Sequence, residues 1–200
     1  MQVDQEPATQ KRQNSTVTSA FPRATGKQHG YRPEQVDAFL ERARATYENT
    51  APPGEEMTAS EIRHTAFALK RNGYSSRHVD TAMDRLEEVF AQRERRARMA
   101  EIGEDAWWAE VQQLLSEVRG RLGRERGKRF RARGVFAIGY RRSQVDAFLD
   151  RVTALLAGQA SLSSAEVRGV VFHAQWRGYD EDQVDAFLDA VVDLMLATTE

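Results

Sequence analysis

The sequence predicts a mainly α protein of repeated short helix–loop–long helix units, duplicated and joined by a helical basic linker. Three observations lead there. The string VDAFL occurs three times at one distance from a Gly-Tyr pair. Each copy opens with helix-starting residues. Apolar residues then recur at i, i+3, i+4 and i+7, which places them on one helical face.

Composition sets the limits. Of the 200 residues 40% are hydrophobic and 30% charged, with a mean hydropathy of -0.64. That is polar for a large core but too apolar for a wholly disordered chain. A net charge of -1 gives no global pull toward nucleic acid or anionic membrane. The absence of cysteine excludes disulfide and thiol chemistry. The most apolar stretch, Ala190–Ala197, is broken by Asp193 and falls short of the roughly 18 residues a spanning helix needs. The first twenty residues hold no apolar core of a secretory signal. A cytoplasmic protein is expected, with peripheral contact at the inner face of the cell membrane as its one membrane role.

The repeat has four copies: Gly30–Leu40 (GYRPEQVDAFL), Gly73–Met83 (GYSSRHVDTAM), Gly139–Leu149 (GYRRSQVDAFL) and Gly178–Leu188 (GYDEDQVDAFL). Met57–Gly73 and Leu162–Gly178 also align without a gap, so the order is A-B-A′-B′. This divides the chain into a disordered tail at 1–20, a first repeat pair at 21–90, a charged helical linker at 91–129 and a second pair at 130–197. One copy of about 40 residues sits at the limit below which chains rarely hold a core alone. Copies should therefore pair, within the chain or between chains.

Each motif residue has a helix-start reading. Gly30, Gly73, Gly139 and Gly178 allow a left-handed or tight turn. Tyr31, Tyr74, Tyr140 and Tyr179 fall at N′ and staple Val36, Val79, Val145 and Val184 at N4. Asp180 and Gln183 read as a capping box, Ser75 as a cap and Pro33 as a first-turn proline, whereas Arg32 and Arg141 are poor caps. The aspartate after each valine (Asp37, Asp80, Asp146, Asp185) complements the helix dipole, worth about 0.3–1 kcal/mol. The long helices are expected near 33–48, 76–98, 142–157 and 181–197, the second packing least well. Thr58-x-x-Glu61 and Ser163-x-x-Glu166 read as capping boxes of short helices near 59–66 and 164–170, each followed by an extended loop through Phe67 or Phe172. Phe39, Leu40, Phe148, Leu149, Phe187 and Leu188 are the expected inter-repeat contacts, and self-association into a dimer follows if copies pair between chains.

The linker carries Trp108, Val111, Leu115, Val118 and Leu122 as a packing stripe on a helix near 105–122. A basic run follows: Arg121, Arg124, Arg126, Lys128, Arg129, Arg131 and Arg133, against Glu125 alone. The plain reading pairs it with the acidic residues of 134–200. The alternative is contact with anionic lipid or nucleic acid through Arg124, Arg126, Lys128, Arg129, Arg131 and Arg133, and the second of these would make the chain a nucleic-acid binder.

The repeats resemble the N-terminal domain of the DivIVA family of bacterial pole and septum scaffolds. Leu162–Leu188 carries the pattern through Phe172, Arg177, Gly178, Tyr179, Asp180, Val184, Asp185, Phe187 and Leu188, and Met57–Met83 carries it more weakly. The whole looks more like the actinobacterial proteins built from repeated DivIVA domains than like a pole-building scaffold. The resemblance implies a dimerising scaffold in cell division, polar growth or envelope organisation, whose partners are itself or another division protein. It also implies membrane contact through an aromatic two residues before the glycine. Only Trp176, beside Arg177, keeps that aromatic; the other copies have Gln28, Arg71 and Ala137 there. The family's long C-terminal coiled coil is not expected, since twelve residues follow Leu188. For Trp176 the plainer expectation is packing on Val170–Val171, and the other is a bilayer interface.

Nothing in the sequence asks for catalysis. The glycines are single and precede helices, so no phosphate-cradling loop is present. His29, His64, His78 and His173 lack metal-ligand spacing and read as surface or capping residues. No cofactor, metal, catalytic residue or small-molecule substrate is expected.

Overall fold

The computed structural model describes residues 20–26 and 28–198, so the tail expected at 1–20 lies almost wholly outside the described residues. The chain is mainly helical. Its helices are α1 (Pro33–Tyr47), α2 (Ala59–His64), α3 (Ser76–Ile102), α4 (Glu104–Leu122), α5 (Arg142–Leu156), α6 (Ser164–Arg168) and α7 (Glu181–Thr198). All seven stand where capping residues and apolar spacing predict helices; α3 runs four residues beyond its expected end at 98.

The caps explain the starts, with two corrections. Ser163 and Glu166 close a full capping box on α6. On α2, Thr58 accepts the Glu61 N–H, but the Glu61 carboxylate turns to Arg42 at 2.8 Å, so only half the box forms. On α7, Asp180 accepts the Gln183 N–H at 3.3 Å, while Gln183 Oε1 accepts the Arg131 N–H at 3.2 Å. The Asp180 N–H donates to Arg131 O at 2.9 Å, so this cap ties α7 to the segment before β3 and is no box. Arg141 gives α5 no side-chain cap bond. Between α3 and α4, Gly103 has φ 87° and ψ 157°, a conformation essentially reserved for glycine, and the helix breaks there.

Among the described residues, four short strands fall where loops and turns are expected. β1 (His29–Tyr31) pairs antiparallel with β2 (Leu69–Arg71), and β3 (Ile138–Tyr140) with β4 (Ala174–Trp176). The Gly-Tyr of the first and third copies is thus strand. The order β-α-α-β-α occurs twice, with α4 between the two runs.

The chain divides into two compact units. One takes the described residues up to 41 with 66–80, and it buries Val36, Phe39, Tyr74 and Val79. The other takes 42–65 with the described residues from 81 onward. Its core joins Val111, Val118 and Leu122 of α4 to Val145, Leu149 and Val152 of α5, Val167 of α6, and Val184, Leu188, Val191 and Val192 of α7. The stripe expected on α4 is therefore a packing face. Trp108 is the exception: it is 42% exposed, and Trp107 packs against the core in its place. Met83 and Leu86 of α3 are half-buried where Leu188 and Val191 of α7 are buried, in line with the weaker packing expected of the second copy.

A buried charge hub ties this unit together. Glu87 of α3 is 1% exposed and receives Arg63 of α2 at 2.8 Å and Arg168 of α6. Arg63 also reaches Asp189 and Asp193 of α7, while Arg168 reaches Asp84 of α3 at 2.6 Å. Each arginine lies ten residues before its motif glycine, and Asp84 and Asp189 each lie eleven after it. The two B copies thus exchange equivalent Arg–Asp bridges across Glu87.

Candidate interaction site

The four glycines are required by close approach. None of them has positive φ; beside Gly73 and Gly178 it is the preceding residue, Asn72 at 57° and Arg177 at 53°, that is left-handed. A Cβ on Gly30 would overlap the carbonyl oxygen of Tyr74, and one on Gly139 that of Tyr179. Two backbones cross at each point, and only glycine lets them meet.

The crossing is reciprocal. Tyr31 N–H donates to Tyr74 O and Tyr74 N–H to Tyr31 O, both at 2.8 Å. Tyr140 and Tyr179 exchange the same bonds at 3.0 and 2.8 Å. The hydroxyls cross as well: Tyr74 donates to Asp37 at 3.0 Å, Tyr31 to Asp80, Tyr179 to Asp146 at 3.0 Å and Tyr140 to Asp185 at 3.4 Å. The aspartates expected to serve the helix dipole are thus acceptors for the tyrosine of the partner copy. The tyrosine rings expected as staples on Val36, Val79, Val145 and Val184 meet aromatic partners: Tyr31 meets Phe67, Tyr74 meets Phe21, Tyr140 meets Phe172 and Tyr179 meets Phe130. Copies therefore pair A with B inside the chain. Burial first, and then the facing carboxylate, raises the pKa of Tyr31, Tyr140 and Tyr179 above the ordinary tyrosine value.

The residues assigned to association sit in these pairings. Phe39 packs on Phe67, Phe148 on Phe172 and Phe187 on Phe130, with Leu149 and Leu188 buried and Leu40 half-buried. They are turned inward.

The basic run is largely consumed by nearby acids, as its plain reading expects. Arg129 is 6% exposed and donates to Asp146 O at 2.9 Å and Asp150 at 2.7 Å, which withdraws it from any anion-contact surface. Arg126 faces Asp150, Lys128 faces Glu125, and Arg131 and Arg133 face Asp180. Arg131 lowers the pKa of that aspartate. Arg124 reaches Arg129 O at 3.4 Å.

Trp176 contradicts its plainer expectation. It is 62% exposed and directly opposite Ile138, which is 49% exposed, in the β3–β4 pair. The loop leading into β3 adds Val135 and Phe136, exposed at 64% and 92%. Arg177 donates its N–H to Ala137 O at 3.0 Å and accepts Arg142 Nε at 2.9 Å on its carbonyl, while Arg141 lies exposed beside β3. The result is an apolar edge with two aromatics and three neighbouring arginines. Reading only the position two residues before each motif glycine finds Trp176 but misses Phe136, which lies one residue before that position in its own copy.

No family model matches the sequence, no curated protein matches it, and no solved structure matches the fold.

Proposed function

We propose that the chain is a non-enzymatic interaction protein related to the DivIVA scaffolds, acting in cell division, polar growth or envelope organisation. It works without cofactor, with the β3–β4 edge as its peripheral contact with the cytoplasmic face of the membrane. The observation that carries the reading is the joint exposure of Phe136 and Trp176 beside Arg141, Arg142 and Arg177. Aromatic rings suit the headgroup level of a bilayer. Insertion combined with a basic patch gives the two signals that stable peripheral binding needs. The acidic start of α7 would repel anionic lipid, but Arg131 and Arg133 already face Asp180, Glu181 and Asp182. The alternative, nucleic-acid binding through 121–133, is weakened because Arg129 is buried and most of its neighbours already have carboxylate partners.

The test keeps Trp176 as sole tryptophan, with Trp107 and Trp108 changed to phenylalanine. Anionic vesicles should blue-shift its emission and protect it from quenching, and Phe136→Ala should weaken binding. An unchanged spectrum removes the membrane role. Steeply salt-dependent binding to duplex DNA, lost on neutralising Arg124–Arg133, would favour the alternative.

A further inference from the structure

The surface left for self-association lies on α4, away from the motif residues. Asp105, Trp108, Gln112, Leu115 and Arg119 follow one another at spacings of three, four, three and four. That is the spacing of a coiled-coil heptad seam, with apolar residues at Trp108 and Leu115 and polar ones at the other three positions. It borders the buried face of α4 formed by Val111, Val118 and Leu122, and Leu115 packs partly against the core of its own chain. Asp105, Gln112 and Arg119 are exposed, and Leu115 is half-buried. Beside the seam lies a groove of about 430 Å³ floored by Leu155, Leu156, Leu194 and Met195.

The charges on this seam are ordered. Asp105 begins it and Arg119 ends it, about 21 Å apart at the helical rise. Neither has an ion-pair partner among the described residues. A parallel copy would set Asp105 against Asp105 and Arg119 against Arg119. An antiparallel copy, with its two-fold axis at Gln112, sets each Asp105 against the other copy's Arg119. The same axis brings Trp108 over Ser116 and Leu115 over Ala109, small exposed residues that leave room for the larger ones. A polar side chain at the seam's centre is a device that fixes register.

We infer that α4 is an isologous interface on which a second copy of this chain docks antiparallel, through Trp108 and Leu115 with Asp105–Arg119 pairs at both ends. This rests on the scaffold reading above for its purpose, but its surface is distinct from the β3–β4 edge.

The test is sedimentation equilibrium of the full chain across a range of concentrations. The native chain should dimerise. Arg119→Asp and Asp105→Arg should each weaken the dimer on the order of tenfold or more, because each homodimer then carries two like-charge contacts. An equimolar mixture of the two variants should regain tight association, since every pair in the mixed dimer is again opposite in sign. Circular dichroism checks that helix content is unchanged, and Trp108→Ser should weaken the dimer through packing alone. A monomer at every concentration, a dimer indifferent to both reversals, or a mixture no tighter than its components would overturn the inference. Vesicle binding through Trp176 would survive each of these outcomes, so the two readings fail separately.

Discussion

Tyr179 donates its hydroxyl to Asp146 at 3.0 Å with both side chains buried, and the same oxygen accepts the Arg129 N–H at 3.2 Å. Tyr179→Phe takes one donor from a buried carboxylate, which keeps the Gly127 N–H at 2.8 Å, and leaves the Arg129 N–H without its acceptor. It should cost about 1–3 kcal/mol in urea unfolding. Tyr74→Phe removes the equivalent bond to Asp37, which is exposed and can turn to water, so its cost should be about 1 kcal/mol or less. Equal losses would show that burial of the acceptor does not set the value.

The glycines separate by role. Gly139→Ala puts a Cβ into the Tyr179 carbonyl and should cost about 3 kcal/mol or more, because neither backbone can yield without losing the reciprocal bonds. Gly120 lies inside α4 with open space around it. There Gly120→Ala should add roughly 0.5–1 kcal/mol. Thermal unfolding of both variants reads the contrast.

Among the described residues Glu87 is the one carboxylate that both Arg63 and Arg168 reach. Glu87→Gln keeps its shape and removes its charge, leaving two nearly buried guanidinium groups under-compensated. The expected loss is about 3–5 kcal/mol. Glu61→Gln breaks only the exposed pair with Arg42 and should cost about 1 kcal/mol at most. Comparable losses would mean that the hub is not a buried network.

Alkaline pH should open the tyrosine pairings. Tyr31, Tyr140 and Tyr179 have raised pKa values in the folded chain, so the unfolded chain releases these protons first. Their contribution is fully present below the free tyrosine value of 10.0 and is lost as pH rises through the higher folded values. Stability measured from pH 8 to 11 should fall at the alkaline end, and less steeply in Tyr179→Phe. A flat profile would contradict the raised values.

The helices were legible because apolar spacing and caps are local signals. Phe148, Leu149 and Val152 name a buried face wherever α5 packs. The strands were not, since three residues are too few to show alternation, and their partners lie in another copy. The glycine motif pointed to the right place for the wrong reason: a turn and a crossing demand the same residue, and only the position of Tyr74 against Gly30 tells them apart. Asp146 likewise reads as a dipole partner until Tyr179 arrives from the next copy. At the outer edge, Trp176 stood out only through a resemblance of motif, whereas Phe136 lay in a loop with no periodicity to mark it.

The crossed tyrosines also set an order of events. Tyr31 meets Tyr74 and Tyr140 meets Tyr179 across some forty residues of intervening chain. Loop-closure entropy must be met before such contacts return anything, so they are expected to form late, after helices that need only near neighbours. A weakened crossing should then leave the folding rate nearly unchanged and make the chain unfold faster. The repeated motif would act as a latch on the lifetime of the native state, one in each half.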